Sequence, residues 1–358
     1  FTALVGVVFS IVLVNVQGGL FLGLIRKASL LIDRGDADIW VGHKNMHNVD
    51  FARDIPRRWV QRVRTVPGVD QAKPLLIGFS EMTLPGGDFE SVVVVGVDQS
   101  TLLGRAWHIV EGGPAALGHN DGVIVDQCDD DKLQYPRIGE VREIAGTRAR
   151  VVAKSRGIQG FLVAPYVFTT NERAARFLRK SPDMCSYVLV RLKPGADTQL
   201  VCREITRRNP DATVMCRQEF SRVSVNFWMT RTGLGISFGA ATLLGLFVGL
   251  VMVAQTLYAV VLDRLSEFGT LKAIGASELQ IACVLFAQAA TLAILGSVIG
   301  LAVVTGVHRF FDTPRAPILV PNWLALGSCV LVASVCLISS LLPYLRVRTI
   351  DPVIVLQA

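Results

Sequence analysis

Residues 234–262 read LGISFGAATLLGLFVGLVMVAQTLYAVVL, with no Asp, Glu, Lys or Arg among them. Crossing the roughly 30 Å of bilayer hydrocarbon takes about 20 helical residues, so a run of this length and composition predicts a membrane-spanning helix. Three more uncharged runs of this kind lie at residues 2–25, 279–307 and 323–345. A helix of a soluble core would keep a polar face at the helical period, and these runs have none.

Working outward from these runs, the composition fits the same picture. The chain has 358 residues, 51% of them hydrophobic and 18% charged, whereas an ordinary soluble domain has roughly a quarter charged. The apolar excess is confined to the four runs, and the stretch from about residue 26 to 231 has the mixed composition of a folded module. The fold class expected is therefore an α-helical membrane protein with four transmembrane helices and an α+β extracytoplasmic domain inserted between helices 1 and 2. The boundaries expected are 1–27 for the first span with a stalk, 28–230 for the domain and 231–262 for the second span. They continue with 263–277 for a cytoplasmic helix, 278–308 for the third span, 309–322 for a short outer loop, 323–345 for the fourth span and 346–358 for the tail.

The first run is too long for a signal-peptide core of about 7–15 residues. The sequence starts at Phe1 instead of Met, so a preceding flank is expected. Orientation is read from short loops, where Lys and Arg favour the cytoplasm, while a long domain crosses largely regardless of charge. The loop after the second run carries Arg264 and Lys272 and the tail carries Arg346 and Arg348, against Arg309 and Arg315 between the third and fourth runs. This bias places loop and tail inside and the domain outside, with Trp228 and Trp323 as interfacial anchors. Arg26 and Lys27 run against it, which is read as the first helix continuing outward as a stalk.

Four Gly-x-x-x-Gly pairs, Gly19 with Gly23, Gly235 with Gly239, Gly245 with Gly249 and Gly296 with Gly300, are candidates for close helix packing in lipid. Asn15, Gln17, Gln255 and Gln288 are read as interhelical hydrogen-bonding groups.

Within the inserted module, Trp59, Val60, Val63 and Val66 suit a short amphipathic helix stopped at Pro67-Gly68, and SVVVVGV at 91–97 reads as a strand after the Pro85-Gly86-Gly87 turn. Short strands are expected at 122–125, 150–152 and 166–169, a closing strand and helix at 186–192 and 198–208, and a β-rich insertion from about 101 to 182. Candidate chemistry is sparse. His43 and His47 lack a third metal ligand, and Asp129-Asp130-Asp131 beside Cys128 matches no calcium loop and is read as a solvated turn. There is no G-x-S-x-G and no H-E-x-x-H. No metal site and no catalytic residue is assigned. The formal charge of +7 is ascribed to basic flanks and a mildly basic module, since no nucleic-acid-binding pattern accompanies it. Of the seven cysteines, Cys128, Cys185, Cys202 and Cys216 fall in the module and none forms C-x-x-C. If the module is extracytoplasmic, a Cys202–Cys216 disulfide is one reading and unpaired buried thiols the other.

Between the second and third runs lies LDRLSEFGTLKAIGAS, residues 262–277, where charged and apolar residues alternate at a helical rhythm. Leu265, Phe268 and Leu271 share a broad face, Gly275 is a natural stop, and Ser277 with Gln280 forms a capping-box pattern opening the third run. The stretch Asp263-Arg264-x-x-Glu267-x-Gly269-x-Leu271-Lys272-Ala273-Ile274-Gly275-Ala276 resembles the coupling-helix signature of the MacB/FtsX-like ABC permeases. Thr256-Leu257-Tyr258 and the run from Glu267 to Gly275 look most like the DevC-type members. The tail Arg348-x-x-Asp351-Pro352-Val353-x-x-Leu356 resembles the family's closing element, and DADIWV at 36–41 resembles its lead into the outer domain. The departures are Asp263-Arg264-Leu265-Ser266 in place of an Arg run, and Phe268 in place of Ile.

The resemblance implies an efflux permease of the bacterial inner membrane working by mechanotransmission, in which Arg264, Glu267, Phe268, Gly269, Leu271, Lys272 and Gly275 meet an ABC ATPase. Because the chain holds no Gly-Lys dipeptide and hence no phosphate loop, ATP and Mg are expected on a partner, present in two copies. A second permease copy forming a homodimer, a periplasmic adaptor and an outer-membrane channel are the other expected partners besides membrane lipids. The substrate class is hydrophobic or lipidic, a toxic compound or a lipoprotein. The alternative is an FtsX-like permease that activates a periplasmic partner and transports nothing. A third class, a transmembrane sensor, would need a cytoplasmic signalling domain that these short segments do not supply.

Overall fold

The structure is a computed structural model describing residues 2–101, 103–113, 117–118, 121–162, 164–231, 233–263, 267, 270–271, 274–313 and 316–340. The chain divides into two compact units, Leu24–Gly233 and the remainder, Phe1–Gly23 with Leu234–Ala358.

The unit Leu24–Gly233 is built on one mixed sheet of ten strands. In chain order they are β1 (Ile39–His43), β3 (Val69–Thr83), β4 (Phe89–Val97), β5 (Ile109–Gly112), β6 (Gly122–Asp126), β7 (Val141–Ile144), β8 (Thr147–Ser155), β9 (Tyr166–Thr170), β11 (Tyr187–Leu192) and β12 (Ala212–Cys216). The strand order is β12-β1-β11-β3-β4-β9-β6-β8-β5, with β7 bridging β3 and β8, and β2 (Ile55–Pro56) pairs separately with β10 (Met184–Cys185). Pairing is antiparallel except for β4 with β9 and β6 with β8. Strand β3 holds the sheet together: its first half, to Leu75, pairs with β11, and its second half, from Leu76, pairs with β4.

Both faces of the sheet are covered, which explains why its strands are apolar at consecutive positions. Ile39, Val41, Val188 and Val190 point into one core with Trp59, Val60 and Val63 of helix α3 (Trp59–Arg64) and Val201 and Ile205 of helix α5 (Thr198–Arg208). The alternate residues Trp40, Tyr187 and Leu189 point into another, joined by Val93, Val95 and Phe220. Val92 and Val94 face a third with Val123, Val125 and Phe177. The helices α2 (Leu30–Arg34), α4 (Asn171–Phe177) and α6 (Arg217–Arg231) complete this unit. The stretch expected to be β-rich, from about 101 to 182, supplies β5 to β9, which continue the main sheet, because β9 pairs with β4 and β7 with β3.

The other unit is helical: α1 (Thr2–Lys27) as far as Gly23, α7 (Leu234–Asp263), α8 (Glu278–Phe311) and α9 (Asn322–Ser339). All four are long and apolar enough to cross a membrane. Gly233, at φ +72°, separates α6 from α7, so Arg231 closes a helix of the inserted domain and does not open the second span. Large side chains such as Ile236, Leu243, Phe247 and Leu279 remain exposed, as a lipid-facing surface requires. Residues 341–345 of the expected fourth span and the tail, with Arg346, Arg348 and the Asp351-Pro352 element, lie outside the described residues.

Candidate functional site

In the helical unit, α1 is packed from several sides at glycines. A Cβ placed on Gly245 or Gly249 of α7 would run into Leu13 or Ser10, and one on Gly296 or Gly300 of α8 would run into Val7 or Ile11. The Gly19 and Gly23 face of α1 meets the segment 317–320 before α9, where Leu319 donates its N–H to the Gly19 carbonyl at 3.0 Å. Gly239 has open space around it. The spacing alone did not distinguish this pair from the others, because a Gly-x-x-x-Gly pattern fixes a face and not what the face meets. The core of the bundle is Val7, Ile11, Ala289, Ala293, Val332 and Cys336. Buried Asn15 donates from Nδ2 to Ser328 Oγ of α9 at 2.7 Å and to the Ile11 carbonyl at 2.8 Å, an interhelical bond of the kind expected of it.

The link between α7 and α8 is described at Glu267, Thr270, Leu271 and from Ile274 onward; Arg264, Phe268, Gly269 and Lys272 lie outside the described residues, as does Leu265. Glu267 and Leu271 are helical and exposed, and with Ile274 they stand at the i, i+4, i+7 positions of one face. Leu271 is 44% and Ile274 81% exposed, an apolar surface next to an acid. The segment ends in a Schellman arrangement: Ala276 donates its N–H to the Leu271 carbonyl at 3.0 Å, with Gly275 at φ +102° between. Ser277 then opens α8 with a complete capping box, its N–H donating to Gln280 Oε1 at 2.9 Å and its Oγ accepting from the Gln280 N–H at 3.3 Å. A stop is thus immediately followed by a start, which separates the helical residues around Leu271 from α8.

In the inserted domain, the last turn of α1 is anchored by polar groups whose pairing the sequence did not reveal. Lys27 Nζ donates to Gln159 Oε1 at 3.1 Å, and Gln159 Nε2 donates to Asp129 Oδ1 at 3.2 Å. All three residues are less than a tenth exposed. Ser224 of α6 donates its hydroxyl to the Ala28 carbonyl at 2.6 Å. The segments entering and leaving the domain are thus tied to each other and to its β-rich half. The acidic run is correspondingly no solvated turn: Asp129 is buried, and Asp130 pairs with Lys154 at 2.8 Å. Nearby Asp126 caps the 3-10 turn Gln127–Asp129 and accepts from Ser155 Oγ and the Ile158 N–H. The partners lie some 24 to 32 residues away in sequence, beyond any local signal.

Asp50 is buried, its Oδ1 accepting from Tyr166 Oη at 2.7 Å, and burial pushes its carboxyl above the usual range. Cys202 of α5 and Cys216 of β12 are separate thiols, unlike the pair the disulfide reading would join. Burial, with Cys216 close by, pushes the Cys202 thiol up to about 12. Among the described residues no cluster of three metal-ligating side chains occurs.

Comparison with known proteins gives two family matches. Residues 1–208 match the MacB-like periplasmic core domain and residues 239–352 the FtsX-like permease C-terminal region. Similar solved structures include the periplasmic region of MacB from Actinobacillus actinomycetemcomitans, 7% identical over 52% of this chain and 92% of that one, with a TM-score of 0.42. The extracellular domain of the noncanonic ABC-type transporter YknZ from Gram-positive bacteria is 11% identical over 50% of this chain and 98% of that one, with a TM-score of 0.38. No curated protein matches by sequence.

Proposed function

The chain belongs to the MacB/FtsX-like permease family, and from that premise we propose that it is the membrane subunit of an ATP-driven ABC exporter. In this reading a separate ATPase, holding ATP and Mg, pushes on the segment between α7 and α8 and the movement reaches the extracytoplasmic domain. The observation that carries it is the exposed Glu267, Leu271 and Ile274 face, bounded by the Gly275 stop and the Ser277 capping box. An exposed apolar stripe beside an acid suits a groove on a partner protein. The Asn15–Ser328 bond and the close glycine contacts around α1 tie helices of the bundle to one another, which supports this reading. The cargo is a hydrophobic or lipidic compound or a lipoprotein, handed to a periplasmic adaptor and outer-membrane channel, with two permease copies and two ATPase copies in the inner-membrane complex.

The test is ATP turnover and export by the complex reconstituted with its cognate ATPase, comparing the parent with Glu267→Lys and Ile274→Asp. Both variants are expected to assemble in the membrane while export per ATP falls at least about tenfold, the effect of losing roughly 1.4 kcal/mol of contact at the interface. Unchanged export per ATP in both variants would place the ATPase contact elsewhere. Intact coupling to a periplasmic enzyme with no cargo moved would replace export by signalling.

A further inference from the structure

The inserted domain holds a cavity of about 330 Å³ beside β1, walled among others by His43, His47, Asn48, Phe51, Arg53 and Phe227. Its chemistry is one-sided. Arg53 lies on the wall and no carboxylate does. The acids next to Arg53 in sequence are engaged elsewhere, Asp50 with the Tyr166 hydroxyl and Asp54 with Lys180 at 2.6 Å. Asn48 is 3% exposed, and its Nδ2 has no hydrogen-bond partner among the described residues. The amide cannot simply be turned over to relieve this, because Oδ1 already accepts the Phe51 N–H at 2.8 Å. A buried donor left unmade costs more than an ordinary bond is worth, so a group with no internal partner at a cavity wall calls for an acceptor brought from outside. His43 does not provide that missing acceptor: its Nδ1 donates to the Lys44 carbonyl at 2.6 Å, which leaves Nε2 as the accepting nitrogen, and that nitrogen makes no bond to Asn48 Nδ2.

The rest of the wall is aromatic. His47 stacks on Phe227 with centroids 6.2 Å apart, and Phe227 and Phe51 both pack against Trp228, at 5.6 and 5.9 Å. Phe51 is 54% exposed, an unusual state for a ring with an otherwise packed neighbourhood. The volume is at the small end of ligand sites, too little for a lipid with two acyl chains.

We propose that this cavity binds a small organic anion, a carboxylate or phosphate ester with an aromatic or short acyl body. The Asn48 Nδ2 and the Arg53 guanidinium receive the oxyanion, and the Phe51 and Phe227 rings pack on the body. The site owes nothing to the ATPase contact, so it stands or falls separately from the export reading.

Saturation-transfer NMR on the full chain in nanodiscs of zwitterionic lipid tests it, using 4-phenylbutyrate, phenyl phosphate and the neutral 4-phenylbutan-1-ol. At least one anion is expected to bind and, if both do, to compete; which of them binds identifies the head group. The alcohol should bind about tenfold more weakly, the factor for one charge-assisted hydrogen bond. Asn48→Asp keeps an oxygen for the Phe51 N–H and puts negative charge where the donor was, and should weaken the anions by about tenfold or more. Arg53→Gln, at an exposed position, should do the same without changing thermal unfolding, and decides the matter should Asn48→Asp fail to fold. Binding of the alcohol as tight as the anions, equal signals from empty nanodiscs, no anion binding, or undiminished affinity in Arg53→Gln would each overturn the proposal.

Discussion

Replacing Gln159 by Leu tests whether the last turn of α1 is locked into the inserted domain. Leu has nearly the same volume but neither polar atom, so the substitution removes the acceptor for Lys27 Nζ and the donor to Asp129 Oδ1 at once, from sites 8%, 3% and 1% exposed. Each bond involves a charged group and is worth about 1.5–3 kcal/mol net. Two would give about 3–6 kcal/mol if nothing compensated. Lys27 and Asp129 each make further interactions, so the low end, about 3 kcal/mol, is expected. With an m-value of about 3 kcal/mol/M, that moves the urea midpoint down by about 1 M. Gln159→Glu separates the two halves: it keeps an acceptor for Lys27 but sets a second carboxylate against Asp129. A Gln159→Leu cost within the roughly 0.5 kcal/mol of an ordinary surface substitution would refute the lock. Under the export function proposed above, export per ATP measured on the same variant tells whether the lock also transmits movement. A loss of coupling larger in Leu than in Glu would assign transmission to the Lys27 half.

Further outcomes follow from the same geometry. Gly300→Val should destabilise the helical bundle by about 1–3 kcal/mol by overpacking, since a Cβ there comes 2.6 Å from Ile11 Cγ2. Thermal unfolding in nanodiscs reads this; Ile11→Ala should recover part of it, and Gly239→Val, with open space around it, should be nearly neutral unless that face meets another chain. Asp50 has a raised folded-state pKa from burial, so its contribution is full below the ordinary value of about 3.9 and is lost as pH rises through the folded value. Asp50→Asn, which keeps an oxygen for Tyr166, should therefore gain stability over the parent on going from pH 4 to pH 8 in urea unfolding; a pH-independent difference would contradict the assignment. Gly275→Ala must hold φ +102° with a Cβ, which costs about 1–2 kcal/mol. Under the proposed function it should lower export per ATP while leaving the exposed Glu267 face intact, as judged by crosslinking to the proposed ATPase partner.

What was legible in the sequence is what local chemistry decides. A membrane span needs only its own composition, and α5 occupies Thr198–Arg208 as expected because Asp197 caps its first turn and its apolar residues fall on one face. The capping box at Ser277 was legible for the same reason. Strand β3 was not, since VDQAKPLLIGFSEMT carries Lys73 and Pro74 in its middle. Those residues are accommodated because the strand changes partner just beyond them, at Leu75 and Leu76. That exchange depends on β11, more than a hundred residues later, and no local pattern reports it. The exposed face of Glu267, Leu271 and Ile274 and the buried Lys27–Gln159–Asp129 network differ in the same way: one is written within eight consecutive residues, the other in partners 30 and 132 residues apart.

Lys27, at the outer end of the first span, illustrates how half of a contrary signal resolves, while its neighbour Arg26 stays exposed. Arg26 and Lys27 oppose the rule that cationic flanks stay in the cytoplasm, but the rule concerns charges that face water or lipid headgroups. Lys27 is 8% exposed and bonded to Gln159, so its charge is satisfied within the domain and carries no weight as a topological flank. If that is correct, Lys27→Met should leave membrane orientation unchanged, as read by protease protection of the inserted domain, while destabilising that domain by about 2 kcal/mol through the lost charged bond. An inverted orientation would show that Lys27 acts as a flank after all, and unchanged stability would show that the bond to Gln159 contributes nothing.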